Sequence, residues 1–357
     1  MTASRLAALR AFLEQQQVDA VVVNKLAHLH YFSGFRGDDT NLVITRKHAI
    51  LVTDSRYTEQ AAQQAPLYEV VEQKEGLWKK TAELLGKLDG KRIAFEGNAL
   101  LYENYQKLAA LLGNKGELVS LQLDDLRQVK DKEEISLIRK ACEIADQAFE
   151  DVLTFLRPGI SELEVAARLE NCMRQLGSEK PAFDTIVASG TRGSLPHGIA
   201  TEKLIVAGEF VTMDYGAVYG GYHSDITRTV CVGTATGRQR EVYDAVLQAQ
   251  LLGLSQIRPN ASGREVDLAV RRYLKERNLA QYFGHGLGHS LGLEIHEEPR
   301  LSFKSKCEAL QVNMLVTNEP GVYIPGWGGL RIEDTVLVTD KGSEALTTSS
   351  KQLIEII

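Results

Sequence analysis

The C-terminal half of this sequence places carboxylates inside segments that otherwise read as buried β-strands. Asp214 lies in GEFVTMDYG and Asp225 lies in YHSDITRTVCV. A buried ionised carboxylate costs several kcal/mol unless it is paired or binds a metal ion. A salt bridge or a turn cap would explain either aspartate alone equally well. Two antiparallel strands joined through AVYGG, however, could direct both carboxylates to one place, because side chains alternate between the faces of a strand.

A glycine-rich segment supplies imidazole groups. In FGHGLGH, a glycine at every second position disfavours a regular helix and lets the backbone approach another group closely. A flexible loop is the simpler interpretation, but His285, His289 and His296 lie within twelve residues of a chain that has only eight histidines. The string HEEPR is not a zinc-binding H-E-x-x-H helix, because Arg300 stands at the second histidine position and Pro299 would break the helix.

Two glutamates complete the set of candidate residues. Glu319 lies in MLVTNEPG and Glu333 lies in GLRIEDTVLV, two residues after Arg331. A strand would direct Arg331 and Glu333 to one face, although a surface ion pair of little energetic value is the alternative. Two aspartates, two glutamates and one histidine suit Mn²⁺, Co²⁺, Fe²⁺ or Zn²⁺ in a dinuclear site. Two ions about 3.5–4 Å apart can share one water and lower its pKa, which predicts a hydroxide nucleophile.

The elements around these residues predict two domains. Helix-like and strand-like segments alternate in the first third of the chain, which is typical of an α/β domain with a mixed sheet. The polar run QLDDLRQVKDK interrupts this pattern. We therefore place a boundary between residues 1–126 and residues 127–357. Long amphipathic helices follow, and Ser161 with Glu164 predicts a capping box at the start of one of them.

Composition limits the partners and the compartment. Of the 357 residues, 44% are hydrophobic and 25% are charged, and the net charge of −6 argues against nucleic-acid binding. We find no stretch of 18 apolar residues and no signal-peptide pattern, so we expect no membrane partner and a cytoplasmic protein. The four cysteines are far apart, which favours reduced thiols over disulfides or a thiolate metal site. They are Cys142, Cys172, Cys231 and Cys307.

Five short motifs, in order, carry a family resemblance. MDYG, HSDITRT, HGLGHSLGLEIHE, TNEPG and GGLRIED resemble those of the pita-bread metallopeptidases, the group of prolidase, aminopeptidase P and methionine aminopeptidase. The preceding helices and the separate N-terminal segment are similar to the prolidase and aminopeptidase P branch, so the resemblance covers nearly the whole chain. It implies an α/β (α+β) chain, with a creatinase/prolidase-like mixed-sheet domain before a pita-bread catalytic domain, and a homodimer.

The resemblance also implies a metal centre with two divalent ions, of which Mn²⁺ is the one we expect first. Asp225 and Glu333 would bridge the ions, and a metal-bridging hydroxide would be the nucleophile. Glu319 would also act as general base. The full set of implied metal ligands is Asp214, Asp225, His289, Glu319 and Glu333.

Further residues receive substrate-directed roles from the same resemblance. His296 would stabilise the tetrahedral oxyanion, and His197 in SGTRGSLPHG and His285 would bind substrate. Arg331 would orient Glu333 from behind the ligands. One departure is Asn313, which stands before Met314 where many relatives have glycine; asparagine tolerates the left-handed conformation, so we expect the turn to survive.

The predicted activity is hydrolysis of the N-terminal Xaa-Pro bond of dipeptides or other short peptides. An aminopeptidase P-type or broader aminopeptidase is the alternative. Creatinase-like chemistry without metal and a non-catalytic peptide-binding relative are disfavoured, because all five implied ligands are present. Arg300 is either a clamp for a dipeptide carboxylate or a solvated surface residue. Arg36, Asp38 and Asp39 could lie on a loop that closes over a partner subunit's site.

Overall fold

Residues 2–88 and 91–357 are described by the computed structural model. Internal contacts divide the chain into two units, Met1–Arg127 and Gln128–Ile357. Among the described residues, no helix combines the length and the apolar character that crossing a bilayer requires. All four cysteines are free thiols, and Cys142 and Cys231 are buried.

The first unit is built around a six-stranded mixed sheet. Its strands are β1 (Ala20–Val23), β2 (Asn41–Thr45), β3 (Ala49–Thr53), β4 (Glu69–Glu72), β5 (Arg92–Glu96) and β6 (Glu117–Leu121). They lie in the order β4-β3-β2-β1-β5-β6. The β1–β2 and β2–β3 pairs are antiparallel, and the other three pairs are parallel. β1 is buried along its whole length, as its uninterrupted apolar sequence AVVV requires.

Helices cover this sheet in the described part of the unit. They are α1 (Thr2–Gln15), α2 (Leu26–Ser33), α3 (Thr58–Gln64), α4 (Leu77–Lys87) and α5 (Tyr102–Leu112). Of these helices, α2 is the hardest to recognise in the sequence. This helix has only eight residues and is almost entirely buried, so it lacks the apolar stripe that identifies a surface helix. It ends at Gly34, whose φ of 82° provides the left-handed cap.

The second unit contains four longer helices: α6 (Lys132–Phe155), α7 (Glu162–Gln175), α8 (Gly237–Gln256) and α9 (Gly263–Glu276). The predicted capping box is confirmed, because the Ser161 hydroxyl accepts from the Glu164 backbone N–H and the Glu164 carboxylate accepts from the Ser161 N–H. Asp131 and Glu134 make the same reciprocal arrangement at the start of α6. Such caps typically contribute about 1 kcal/mol each.

The strands of the second unit form several small sheets. They are β7 (Ile186–Ser189), β8 (Glu209–Tyr215), β9 (Val218–Tyr219), β10 (Tyr222–His223), β11 (Ile226–Val232), β12 (Gly288–Ser290), β13 (Glu297–Leu301), β14 (Leu315–Asn318), β15 (Gly321–Ile324), β16 (Gly328–Arg331), β17 (Asp334–Thr339), β18 (Gly342–Ala345) and β19 (Glu355–Ile356). The sheet orders are β19-β11-β8-β7, β10-β9, β12-β13, β14-β17-β18 and β15-β16.

Two hydrophobic clusters give this unit two helix-and-sheet halves. In one cluster, Phe149 of α6 and Leu169 of α7 are buried with Met213 of β8. In the other, Val246 of α8 is buried with Val316 of β14. Each half therefore buries the apolar stripes of two helices against strands, and the strand ends between them are free to carry polar groups.

Three details differ from the strand interpretation of the sequence. The AVYGG connection contains its own two-stranded hairpin, β9–β10. Asp225 and Glu319 lie one residue outside β11 and β14, and Glu333 lies in the two-residue link between β16 and β17. Arg331 and Glu333 are thus not on one strand, because β16 and β17 belong to different sheets. The predicted left-handed turn at Asn313 is confirmed by its φ of 71°.

A buried histidine makes the first unit sensitive to pH. His28 Nδ1 contacts the Glu96 carboxylate, and Nε2 lies 3.5 Å from Asp124 Oδ1. Burial lowers the pKa of His28, but its interactions with the carboxylates of Asp124 and Glu96 outweigh it and raise the pKa above 6.5. A histidine with a raised folded-state pKa contributes its full stabilisation below the unfolded pKa and loses it as pH rises through the folded pKa. We therefore expect this unit to lose stability above about pH 6.5.

Urea unfolding at several pH values tests this expectation. In a Trp327→Phe background, fluorescence of Trp78 reports on the first unit, because the chain has only two tryptophans. His28→Gln should abolish the fall in unfolding free energy, which amounts to about 1.4 kcal/mol for each unit of pKa shift. His48→Gln, at an exposed position of the same unit, should leave it unchanged. A fall of equal size in the His28 variant would contradict the assignment.

Candidate metal and catalytic site

The β8–β11 pairing brings the two aspartates to one face of the sheet. Asp214 lies opposite Thr227 in the antiparallel register, and opposed residues share a face. Asp225 comes directly before β11, two residues before Thr227, and one of its carboxylate oxygens lies within 4.8 Å of one of Asp214. The predicted convergence of the two aspartates is therefore present, and it results from strand register.

Glu333 joins this pair from the link between β16 and β17. Carboxylate oxygens of Asp214, Asp225 and Glu333 all lie within 4.8 Å of one another, and all three residues are buried. Burial first, and then the neighbouring Glu333 and Asp214 charges, raise the pKa of Asp225 well above its ordinary value. Burial and the charges of Glu319 and Asp214 do the same for Glu333. Four carboxylates packed in this way repel one another unless a cation or protons compensate them.

Glu319 follows β14 and completes the carboxylate cluster. Its Oε1 accepts a hydrogen bond of 2.9 Å from the Thr317 hydroxyl, two residues earlier. Burial is the main cause that raises the pKa of Glu319 to about 7, and the Arg331 charge opposes the rise. Thr317 Oγ1 also accepts from the His289 backbone N–H at 3.0 Å. One threonine thus connects the strands that carry Glu319 and His289.

The tautomer of His289 leaves Nε2 available as a ligand atom. Nδ1 lies 3.0 Å from the Ser290 carbonyl oxygen, which can only accept, so Nδ1 carries the proton. The Nε2 lone pair faces Asp225 Oδ2 at 3.5 Å and Glu319 Oε1 at 3.4 Å. Burial and the neighbouring His296 lower the pKa of His289 to about 3, so the ring is neutral. A lone pair directed at two ionised carboxylate oxygens is unfavourable unless a cation or a proton lies between them.

Arg331 connects two of the carboxylates of the site. Its guanidinium donates to Asp214 Oδ2, to Thr227 Oγ1 at 2.9 Å and to the Tyr323 hydroxyl at 2.6 Å. The Thr227 hydroxyl in turn donates to Glu333 Oε2 at 2.6 Å. Arg331 therefore orients Asp214 directly and Glu333 through Thr227. The sequence pattern indicated neither Thr227 nor Thr317, because a buried Thr in a strand is common, and the partners of Thr227 lie about a hundred residues away.

His285 has both ring nitrogens engaged. Nδ1 lies 2.8 Å from the Gly286 carbonyl oxygen, and Nε2 lies 2.8 Å from the Tyr323 hydroxyl. Nδ1 therefore donates, and Nε2 accepts from Tyr323, whose oxygen accepts from Arg331. Burial, assisted by Arg331, lowers the pKa of His285 to about 4. Tyr323 is a residue that sequence reasoning missed, since an aromatic residue in an apolar strand carries no signal of a polar contact.

The remaining candidate residues surround a cavity of about 600 Å³ within the second unit. His296 stacks edge-to-face on His289 with ring centroids 4.5 Å apart. His197 is exposed at the cavity wall. Arg300 also lines the cavity, and it is the residue that pairs with His289 in the β12–β13 register. β13 is an extended strand, which confirms that HEEPR is not a zinc helix. All nine candidate residues line this one cavity: His197, Asp214, Asp225, His285, His289, His296, Glu319, Arg331 and Glu333.

Unsatisfied oxygens test whether these residues fit a metal ion. Among the described residues, neither Asp214 Oδ1 nor Asp225 Oδ1 has a hydrogen-bond partner, although both atoms are buried. A buried carboxylate oxygen without a partner costs several kcal/mol unless it binds a cation. The residues with orphaned oxygens, the other crowded carboxylates and His289 all line the same cavity. The donor set therefore fits divalent metal ions, as oxygen and imidazole ligands do.

A buried group of carboxylates and an imidazole, held between two helix-and-sheet halves beside a peptide-sized cavity, defines a metal-dependent hydrolase. The model of metallopeptidase family M24 matches residues 136–340, and the creatinase/prolidase N-terminal domain model matches residues 5–129. The chain belongs to metallopeptidase family M24. The predicted enzyme class is confirmed, as is the fold class of a mixed α/β domain followed by a pita-bread catalytic domain.

Individual relatives agree over nearly their whole length. A Xaa-Pro dipeptidase of Pyrococcus furiosus is 39% identical over 98% of this chain and 99% of its own. The structure of a Xaa-Pro dipeptidase from Bacillus anthracis superposes with a TM-score of 0.96 at 41% identity, covering 99% of this chain and 100% of that one. The structure of an X-Pro aminopeptidase from Thermotoga maritima has a TM-score of 0.91 at 35% identity, with 98% and 99% covered.

Proposed function

We propose that this protein hydrolyses the N-terminal Xaa-Pro bond of dipeptides with two divalent metal ions. The observation that carries the proposal is the convergence of four carboxylates and the Nε2 lone pair of His289. Two of the carboxylate oxygens, Asp214 Oδ1 and Asp225 Oδ1, have no hydrogen-bond partner among the described residues. The relatives named Xaa-Pro dipeptidase in Pyrococcus furiosus and Bacillus anthracis support the substrate class.

Four carboxylates and one imidazole would hold the two metal ions, with Asp225 and Glu333 among them. When bound, the two ions would supply positive charge that activates a shared water and polarises the scissile carbonyl. Arg331 would keep the carboxylates in place through its bonds to Asp214 and to Thr227. We propose Asp214, Asp225, His289, Glu319 and Glu333 as the ligands, with Mn²⁺ the first ion to test.

Glu319 would transfer the proton, and His296 would stabilise the negative charge that develops on the substrate. Glu319 accepts a proton from the attacking water as the hydroxyl group adds to the peptide carbonyl carbon. His296 donates a hydrogen bond to the oxygen that becomes negative in the tetrahedral intermediate. The C–N bond then breaks, and Glu319 delivers the proton to the proline nitrogen. His197 would contact the substrate. His285 would contact it once a substrate group replaces the Tyr323 hydroxyl as the hydrogen-bond partner of its Nε2.

Initial rates on matched peptides test this activity. Metal-stripped enzyme reloaded with Mn²⁺ should cleave Ala-Pro and Met-Pro. It should cleave Ala-Pro-Ala and Ala-Ala much more slowly. Cleavage of Ala-Pro-Ala at equal or higher kcat/KM would move the assignment to an aminopeptidase P-type enzyme, for which the Thermotoga maritima structural neighbour is the supporting observation. If the protein binds metal but cuts none of these peptides, the Xaa-Pro proposal fails.

Arg300 is the residue that would favour dipeptides over longer peptides. It lines the cavity wall with a half-exposed side chain, and a guanidinium matches a terminal carboxylate bidentately. We expect Arg300→Ala to raise KM for Ala-Pro about thirtyfold, the equivalent of one charge-assisted contact. The same variant should change KM for Ala-Pro-amide less than about threefold, because the amide lacks the charge.

Arg272→Ala, at an exposed position on α9, is the matched control and should leave both substrates unaffected. Equal losses on Ala-Pro and Ala-Pro-amide would show that Arg300 does not recognise a carboxylate. In that case the longer-peptide alternative gains weight, since a chain that continues beyond proline needs no such clamp.

We also propose the broader assignments that the sequence suggested. Residues 1–126 and 127–357 would be the two domains, and the protein would act as a cytoplasmic homodimer. Light scattering of the purified full-length chain tests the dimer. A broader aminopeptidase and a non-catalytic peptide-binding protein are the remaining alternatives, and the intact carboxylate cluster weighs against the second.

A further inference from the structure

Lys130 is a buried lysine behind the catalytic cavity. It lies between the 3₁₀ turn Asp124–Arg127 and α6, and its side chain is 1% exposed. Its Nζ lies 3.1 Å from Glu297 Oε2 and 3.2 Å from Ser290 Oγ. Glu297 itself is 6% exposed, so the ion pair is almost completely removed from solvent. None of the proposed ligand or substrate roles uses this lysine.

The two partners of Lys130 each follow a histidine of the site. Ser290 comes directly after His289 in β12, and Glu297 comes directly after His296 at the start of β13. Ser290 and Glu297 are also paired in the β12–β13 register. A single ammonium group therefore joins, from outside the cavity, the two strands whose histidines stack on each other inside it.

Glu297 extends this contact into the turn that carries His296. Its second carboxylate oxygen, Oε1, accepts from the Glu294 backbone N–H at 3.1 Å. The segment that contains His296 is thus fixed at both ends by one carboxylate. The Lys130 backbone N–H donates to the Asn313 carbonyl at 3.0 Å, in the turn before the strand that leads to Glu319. The lysine segment consequently contacts three chain segments that carry site residues.

Stability alone does not explain a buried lysine at this position. Moving an ammonium and a carboxylate out of water costs several kcal/mol per ion, and apolar replacements of such pairs are often neutral or stabilising. What the pair provides is a fixed separation of two strands, because one buried ammonium group donates to Glu297 and to Ser290 at the same time. Groups hydrogen-bonded to metal ligands typically change metal affinity or activity by about 10–100-fold when they are lost, and Lys130 acts one contact further out, so we expect the lower end of that range.

We infer that Lys130 is a positioning residue, which sets the orientation of His289 and His296 through Ser290 and Glu297. The inference rests on the proposed function for the roles of the two histidines. The lysine does not touch substrate or the reacting atoms. Its loss should therefore lower metal affinity, through His289, and kcat, through His296, more than it changes KM.

The test compares Lys130→Met, Lys130→Arg and the double variant Lys130→Met/Glu297→Gln in the full-length protein. The single Met variant leaves the buried Glu297 charge without the ammonium group and should lower Tm. The double variant removes that charge, keeps an oxygen that can accept from Glu294, and should recover most of the Tm. Arg168→Met, which breaks the Arg168–Asp151 ion pair between α7 and α6, is the control.

Positioning and simple stability predict different results for the double variant. We expect its kcat on Ala-Pro to stay about tenfold or more below wild type, with KM within about twofold, and its Mn²⁺ affinity by calorimetry to fall by a similar factor. Lys130→Arg should retain part of both. A double variant with wild-type Tm, kcat and Mn²⁺ affinity would overturn the inference.

Failure of the proposed function is distinguishable in the same experiment. If wild-type protein binds Mn²⁺ but does not cleave Ala-Pro, the Xaa-Pro assignment fails, and the comparison of Mn²⁺ affinities still decides the role of Lys130. An unchanged Mn²⁺ affinity in the double variant would then overturn the inference on its own.

Discussion

Glu319→Gln should reduce kcat on Ala-Pro by about a thousandfold or more, while the protein remains folded. Glutamine has the shape of glutamate and keeps an oxygen that can accept the 2.9 Å hydrogen bond from Thr317. It cannot accept the proton of the attacking water, and it removes one negative charge from the metal ligands. Both losses act on the transition state, so the expected change is in kcat at saturating Mn²⁺ rather than in KM alone.

The controls for this variant separate chemistry from folding. Glu241→Gln, an exposed glutamate on α8, makes the same chemical change away from the cavity and should behave as wild type. Circular dichroism and Tm of the Glu319 variant should match wild type within a few degrees. If the variant keeps more than a tenth of wild-type kcat, Glu319 is not the general base and another group must take the proton.

Removal of metal is the second change with a large expected effect. Stripping with a chelator should abolish peptide cleavage and lower Tm by on the order of 10 °C. Each ion present at a hundred times its Kd stabilises the folded state by about 2.7 kcal/mol. Without the ions, the carboxylates of Asp225, Glu319 and Glu333 repel one another in a buried site. In addition, Asp225 Oδ1 has no hydrogen-bond partner among the described residues.

Asp225→Asn makes this prediction specific. The variant should bind Mn²⁺ more weakly than wild type, yet its stripped form should be more stable than stripped wild type, because one of the repelling charges is gone. Asp340→Asn, at an exposed position, should change neither quantity. Differential scanning calorimetry with and without Mn²⁺ measures both effects. A wild-type Tm that is the same with and without metal would contradict the dinuclear site.

Much of the site was readable from residue types. A charge in an apolar strand-like segment is costly, so Asp214, Asp225, Glu319 and Glu333 were visible as candidates one at a time. The glycine spacing around His289 disfavoured a helix and was compatible with a close backbone approach. The capping box at Ser161 and the turn at Asn313 depend on neighbouring residues alone, and both appear as predicted.

Tertiary structure alone decided which polar contacts hold these groups. Thr227, Tyr323 and Lys130 lie in ordinary-looking segments, and their partners Glu333, His285 and Glu297 are far away in sequence. Glu333, which the sequence pattern placed in a strand, lies in the folded chain in a link between two sheets. The physical reason is the separation in sequence between the groups that interact. The cost of burying a charge belongs to a residue and its immediate neighbours, and so it is visible in the sequence. The hydrogen bonds that offset that cost depend on strand register and on the packing of distant segments, and only the folded chain determines them.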